Sequence, residues 1–186
     1  MKVYLAGPEV FLPDAVDIGQ AKVDICAAYG LAGLFPLDNQ VDRDRADASL
    51  QIFRGNEAMM NAADAIIANL TPFRGPGADP GTGYELGYMA ARGKLCLGYC
   101  NDPRLYVERV AALTELKSTS GILTDPQGLA VENFGLPDNL MMVHALDLHG
   151  RALVTPPTAP DDLWRDLACF QACVRLAAGS IAPAAV

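Results

Sequence analysis

Two carboxylates on one stretch of chain, Asp79 and Glu85, carry the clearest chemical signal in this sequence. They lie on or beside a Gly/Pro-rich segment, residues 71–83, that is long for a loop inside a compact domain and so reads as functional. Paired carboxylates near one strand end are a pattern familiar from glycosidic-bond cleavage, which needs an ionised group at the anomeric carbon. Thr82, Gly83, Tyr84 and Glu85 read as a capping box with Glu85 at the third helical position. There the positive helix end would favour the ionised carboxylate that a nucleophile requires. The same residues have a purely structural reading, with Glu85 as a cap and Asp79 as a turn former. A Gly-rich loop before a helix can instead cradle phosphate. No Lys or Ser follows the glycines here as in a P-loop, and Glu85 would repel an anion.

The elements that must position these groups alternate. Residues 3–6 read as a short buried strand ended by Gly7-Pro8, and 15–29 as a helix closed at Gly30. Weaker strand character at 31–35 stops at Pro36. A helix over 49–63, a strand over 65–70, a helix over 83–92 closed by Gly93, and a strand over 95–99 follow. Repeated strand–helix–strand units predict an α/β fold: a flavodoxin-like open, mostly parallel sheet with helices on both faces. Ligands in such sheets bind beyond the carboxyl ends of the strands, where three polar loops, 7–13, 36–40 and 71–83, converge. Beyond residue 101 the pattern thins. Residues 105–116 read as helix, 118–135 as turns, and 138–146 as helix or strand. Residues 1–150 are expected to form the catalytic domain. Residues 151–186 add a Pro-rich linker and an amphipathic helix to the same unit, with Leu163, Leu167, Phe170 and Val174 on one stripe and a start signal at Thr158 and Asp161.

Composition narrows the partners. The net charge of −8 with no Lys/Arg run disfavours a nucleic-acid polymer, whereas a neutral nucleoside meets no such penalty. No apolar run approaches the ~18 residues of a membrane span, and no secretory signal opens the chain, so a cytoplasmic location is expected. Five cysteines exclude a complete disulfide framework. Cys96/Cys100 and Cys169/Cys173 each have i, i+4 spacing, but zinc would want two further ligands and His144 and His149 have no matching spacing, so no metal is assigned.

Five ordered segments resemble the nucleoside 2-deoxyribosyltransferase family. They are Tyr4-Leu-Ala-Gly-Pro-Glu-Val-Phe11; Phe35-Pro-Leu-Asp-Asn-Gln40; Asp64-Ala-Ile-Ile-Ala-Asn-Leu-Thr-Pro-Phe-Arg-Gly75; Asp79-Pro-Gly-Thr-Gly-Tyr-Glu-Leu-Gly-Tyr88; and Val131-Glu-Asn-Phe-Gly-Leu-Pro-Asp-Asn139-Leu-Met141. The resemblance implies transfer of a 2-deoxyribosyl group from a deoxynucleoside to a free nucleobase, without a cofactor, by a ping-pong route through a glycosyl ester on Glu85. Tyr4 would orient Glu85. Asp79 and, from a neighbouring subunit, Asn139 would bind the sugar hydroxyls, with Met141 packed against the nucleophile. Gln40 would read the base edge, and Phe11 and Phe73 would wall the base pocket. The enzyme would then be a homo-oligomer, dimer or higher, with shared sites. Nothing in the resemblance covers the chain after Arg151.

Asn56 departs from part of the family, which carries a base-facing aspartate there; an amide can bind a base but cannot protonate it. Two rival readings follow. One is an N-glycosidase hydrolysing deoxynucleosides or deoxynucleoside monophosphates, against which Glu9 in the first loop would repel a phosphate. The other is a non-catalytic nucleotide-sensing module, which would have no need of Glu85, Asp79, Asn139 and Gln40 together.

Overall fold

The computed structural model describes residues 1–38, 41–42 and 44–180. Four parallel strands form the main sheet in the order β2-β1-β3-β4: β1 (Lys2–Ala6), β2 (Ala32–Leu34), β3 (Ala65–Asn69) and β4 (Leu95–Tyr99). The expected flavodoxin-like α/β sheet is therefore present. β1 and β3 are apolar along nearly their whole length because helices cover both faces. Alternate side chains sort to the two sides. Val3, Leu5, Ile67 and Leu97 pack with α1 (Ala15–Ala28) and α6 (Ala168–Gly179). Tyr4, Ala6, Ile66 and Ala68 pack with α2 (Ala48–Ala62), α3 (Pro80–Ala91) and α5 (Leu140–His149). A short α4 (Tyr106–Ala111) and a hairpin, β5 (Lys117–Thr119) and β6 (Ile122–Thr124), fill the connection after β4. Among the described residues, no helix is long and apolar enough to cross a membrane.

The glycines at 30 and 93 close α1 and α3 as expected, with φ of 73° and 68° that a side chain would strain. Several expectations are corrected. The helix expected over 83–92 starts at Pro80, because Pro is pre-shaped for the first helical turn and Asp79 caps it. The helix expected over 105–116 ends at Ala111. The stretch read as turns holds the β5–β6 hairpin, whose tight turn places Ser120 and Gly121 at positive φ. The last helix begins at Ala168, so Thr158 and Asp161 do not start it and Leu163 lies outside it; Phe170 and Val174 keep the core stripe.

Residues 150–154 run beside β4. They form parallel bridges Cys96–Gly150 and Tyr99–Val154, and Val154 exchanges backbone hydrogen bonds with Gly98 and Cys100 (3.0 and 2.9 Å). A side chain at position 150 would collide with the Cys96 carbonyl, which requires glycine there.

Candidate active site

Loops at the carboxyl ends of β1 and β2, together with α2 and the start of α3, enclose a cleft of about 450 Å³. That is the size of an ordinary small-molecule site. Phe11, Asn56, Asp79 and Glu85 all line it, so one cleft collects residues from three segments far apart in sequence.

Asp79 and Glu85 owe their placement to the helix start. Asp79 is the N-cap of α3, its Oδ2 accepting from the Thr82 N–H (2.9 Å) and hydroxyl (3.2 Å). The cap is thus Asp79 with Thr82, and the expected Thr82–Glu85 capping box does not form. Glu85 falls in the second turn, one turn too deep for the helix end to dominate its charge. Other groups set its state. The Tyr4 hydroxyl, at the buried centre of β1, donates to Glu85 Oε1 at 2.6 Å, and Asn56 Nδ2 approaches the same oxygen at 3.5 Å. Burial pushes the Glu85 carboxyl up to about 7 and the Asp79 charge adds to the rise, while the bonds from Tyr4 and Asn56 oppose it. The carboxylate is poised at neutral pH rather than held ionised, which revises the expectation. Burial and the Glu85 charge also drive the Tyr4 hydroxyl well above its ordinary value, so it stays a donor.

The first loop corrects a second expectation. Glu9 does not face the cleft as a bare charge; it is fully buried. Its Oε1 accepts from Lys22 Nζ, from Asn69 Nδ2 (2.8 Å) and from the Tyr99 hydroxyl (2.8 Å). Burial alone would raise this carboxyl, but Lys22, aided by Tyr99, holds it below the usual range. Lys22 is equally buried and sits over the Phe170 and Tyr99 rings. The pair fastens loop 7–13 to α1, β3 and β4. Any side chain at Gly7 would strike Glu9, so glycine lets the loop cross it. A phosphate at this loop would meet a neutralised pair, so Glu9 is no argument against one.

Phe11 lines the cleft and stacks on Phe73 (centroids 5.2 Å apart, planes 16°); Phe73 stands behind it rather than in the lining. The Arg74 guanidinium lies over both rings, at 4.6 Å from Phe73 and 5.3 Å from Phe11. Trp164 meets the Phe73 ring edge-on at 6.0 Å. Gln40 lies outside the described residues.

Asn139 and Met141 are elsewhere. Asn139 caps α5, accepting from the Met141 N–H (3.0 Å) and donating to Glu132 (3.0 Å), and Met141 is 72% exposed. Neither lines this chain's own cleft. Asp138 holds that segment in place: its Oδ1 accepts the Asn139 N–H (2.7 Å), and its Oδ2 accepts the Ala78 N–H (3.1 Å) and faces Arg109 Nη2 at 3.5 Å. Burial pushes the Asp138 carboxyl up.

Lys22, Asp138 and Trp164 are the site-shaping residues that the sequence did not single out. Each acts through a contact distant in sequence, and neither Lys22 nor Trp164 sits in a motif that would flag it. The nearest available signal was the presence of Asp138 beside Asn139 in the last of the five segments.

Comparison with known proteins finds relatives over most of the chain. The family model described as nucleoside 2-deoxyribosyltransferase matches residues 3–141. An uncharacterised protein of Schizosaccharomyces pombe is 37% identical over 155 residues, covering 75% of this chain and 74% of its own. The solved 2-desoxiribosyltransferase of Leishmania mexicana is 32% identical with a TM-score of 0.64, over 94% of this chain and 97% of its own. A conserved protein of Enterococcus faecalis shares the fold at 20% identity and a TM-score of 0.60, over 94% and 97% of the two chains.

Proposed function

The chain belongs to the nucleoside 2-deoxyribosyltransferase family, and from that premise we propose that it exchanges the base of a deoxynucleoside through a glycosyl ester on Glu85. The observation that carries the reading is the half-buried Glu85 carboxylate, held by Tyr4 in a cleft that Phe11 lines with Phe73 stacked behind it. Tyr4 and Asn56 both approach Oε1, which leaves Oε2 to attack the anomeric carbon. As the C–O bond forms, the glycosidic C–N bond breaks and its electron pair leaves with the base, which takes a proton from water because the Asn56 amide has none to give. A second base then attacks the same carbon, releases Glu85 and loses its N–H proton to solvent. Two displacements retain the sugar configuration. Asp79 lines the cleft beside Glu85, where its outward oxygen would accept from a sugar hydroxyl.

Incubating the protein with 2′-deoxyinosine and excess adenine, then chromatographing the products, should give new deoxynucleoside in excess over free sugar. A product mixture dominated by free sugar at saturating adenine would make the protein a hydrolase and overturn the reading. Two carboxylates in the cleft favour a neutral nucleoside over a monophosphate, even with Glu9 neutralised.

The ionisation of Glu85 supplies a second expected result. Only the carboxylate attacks, so single-turnover release of base should climb with pH through about 7 and then level. Well below that midpoint the slope should approach about tenfold per pH unit. Tyr4→Phe removes a bond that lowers the Glu85 value, so its midpoint should move upward. A profile flat across neutrality in both proteins would separate the step from Glu85.

A further inference from the structure

We infer that Trp164, which lies beyond the family-matched segment, is a positioning residue for the nucleobase: by bracing the Phe73–Phe11 stack it decides how well a free base competes with water for the glycosyl enzyme. The inference deepens the proposed transfer and rests on it.

Phe11 is 57% exposed and comes from a single helical turn, so little of its own surroundings fixes the ring. Its packing face is Phe73, which is itself only half-buried and sits on the loop leading to Asp79. Phe73 in turn meets the Trp164 ring at 6.0 Å with the planes at 88°, a T-shaped pair of the kind the ring quadrupoles favour. Arg74, whose backbone lies at φ 55°, spans the two phenyl rings with its guanidinium.

Trp164 is in turn anchored on both sides. Asn101 Nδ2 donates to the carbonyls of Leu163 (2.8 Å) and Asp166 (3.0 Å), and the Trp164 N–H donates to Asp162 (2.9 Å). Arg165 forms two 2.7 Å bonds to Asp14, the residue that opens α1 directly after the Phe11 loop. One strap of chain thus touches the start of α1, next to the first loop, through Arg165 and the third loop through Trp164, and those two loops supply the stacked phenyl rings.

A base that enters as part of a nucleoside is also held through its sugar. A free acceptor base has only the base pocket. Loosening the aromatic wall should therefore weaken the acceptor more than the donor, and water, which needs no wall, should gain. An aromatic pair contributes enough to change binding by about two- to tenfold.

Trp164 is the single tryptophan of the chain, so its fluorescence reports this position alone. Adenine, hypoxanthine, cytosine and thymine, each titrated into the wild-type protein with excitation at the red edge of indole absorption, should include at least one that changes the emission saturably. Phe73→Leu should blunt that change. In turnover with 2′-deoxyinosine as donor, Trp164→Ala should raise the acceptor KM and lower the ratio of transfer to hydrolysis, each by about three- to tenfold, with the donor KM nearly unchanged. Trp164→Phe should restore most of both. A Trp164→Ala protein that keeps wild-type acceptor KM and product ratio would overturn the inference, as would equal losses for donor and acceptor that Trp164→Phe does not rescue. Wild-type fluorescence indifferent to every base would do the same without any variant having to fold. Absence of any transfer product from the wild-type enzyme would instead strike the functional reading, while the fluorescence titration would still decide on Trp164.

Discussion

Glu85→Gln should reduce deoxynucleoside turnover by about three orders of magnitude or more, the scale expected when the covalent nucleophile is removed. The same change should make the protein more stable above neutrality. In the folded state, burial raises the Glu85 value from 4.5 to about 7. The protonated form is therefore the one folding favours: its contribution is complete below the unfolded value and is lost as pH rises through about 7. Gln keeps the shape and stays neutral, and it still offers Tyr4 an acceptor. At a pH well above 7 the variant should gain about 3 kcal/mol over the parent, shrinking toward nothing in mild acid. Urea unfolding at both pH values reads the stability, and mass spectrometry after a slow fluorinated substrate reads the adduct on Glu85 in the parent. Near-normal turnover in the variant would remove Glu85 from the chemistry, whatever the unfolding curves show.

Mixing inactive Glu85→Ala with inactive Asn139→Ala protein should restore activity, the second large effect. Asn139 and Met141 line no part of their own chain's cleft, yet α5 holds them at the surface with Met141 72% exposed. Leu148 on the same helix and Tyr84 on α3 are also exposed, at 80% and 51%. α3 and α5 pack in one core cluster, and large exposed apolar side chains on such a helix pair mark a surface that another molecule covers. If Asn139 completes a neighbour's site, a hybrid places intact Glu85 and intact Asn139 in the same cleft. For randomly mixed dimers the recovery should approach about a quarter of wild-type activity. A wild-type protein that elutes as a fully active monomer would rule out shared sites.

The order of strands and helices to residue 100 was legible because buried parallel strands and capped helices each leave a local mark. β3 is an unbroken apolar run, and Gly30 and Gly93 close helices by backbone necessity. The gathering of Asn56, Asp79 and Glu85 at one cleft, with Tyr4 bonded to Glu85, followed from the helices and loops that lie beyond the carboxyl ends of the strands. What misled was polarity read without burial. Glu9 beside Gly-Pro reads as a surface charge, and only the docking of Lys22, from the helix that follows, makes it a core residue. Thr82 and Glu85 have capping-box spacing, but Asp79-Pro80 supplies a stronger start and wins the competition. The β5–β6 hairpin did leave a sign, the Ser120-Gly121 pair, lost in a polar stretch. Nothing local marks Trp164 as a neighbour of Phe73, since the two meet only through tertiary packing.

The ribbon of residues 150–154 beside β4 has a consequence for any shortened form of the protein. A chain cut at residue 141, where the family match stops, would keep every cleft-lining residue described here yet strip β4 of its outer neighbour. The backbone N–H and C=O groups that Val154 now satisfies at Gly98 and Cys100 would face solvent along an apolar strand. The loss of α6 would uncover Leu97 and Tyr99 as well. Such an edge invites a second copy to add its own strand, so the truncated chain should aggregate rather than work. Residues 150–154, which line no part of the cleft, thereby guard the sheet against self-association.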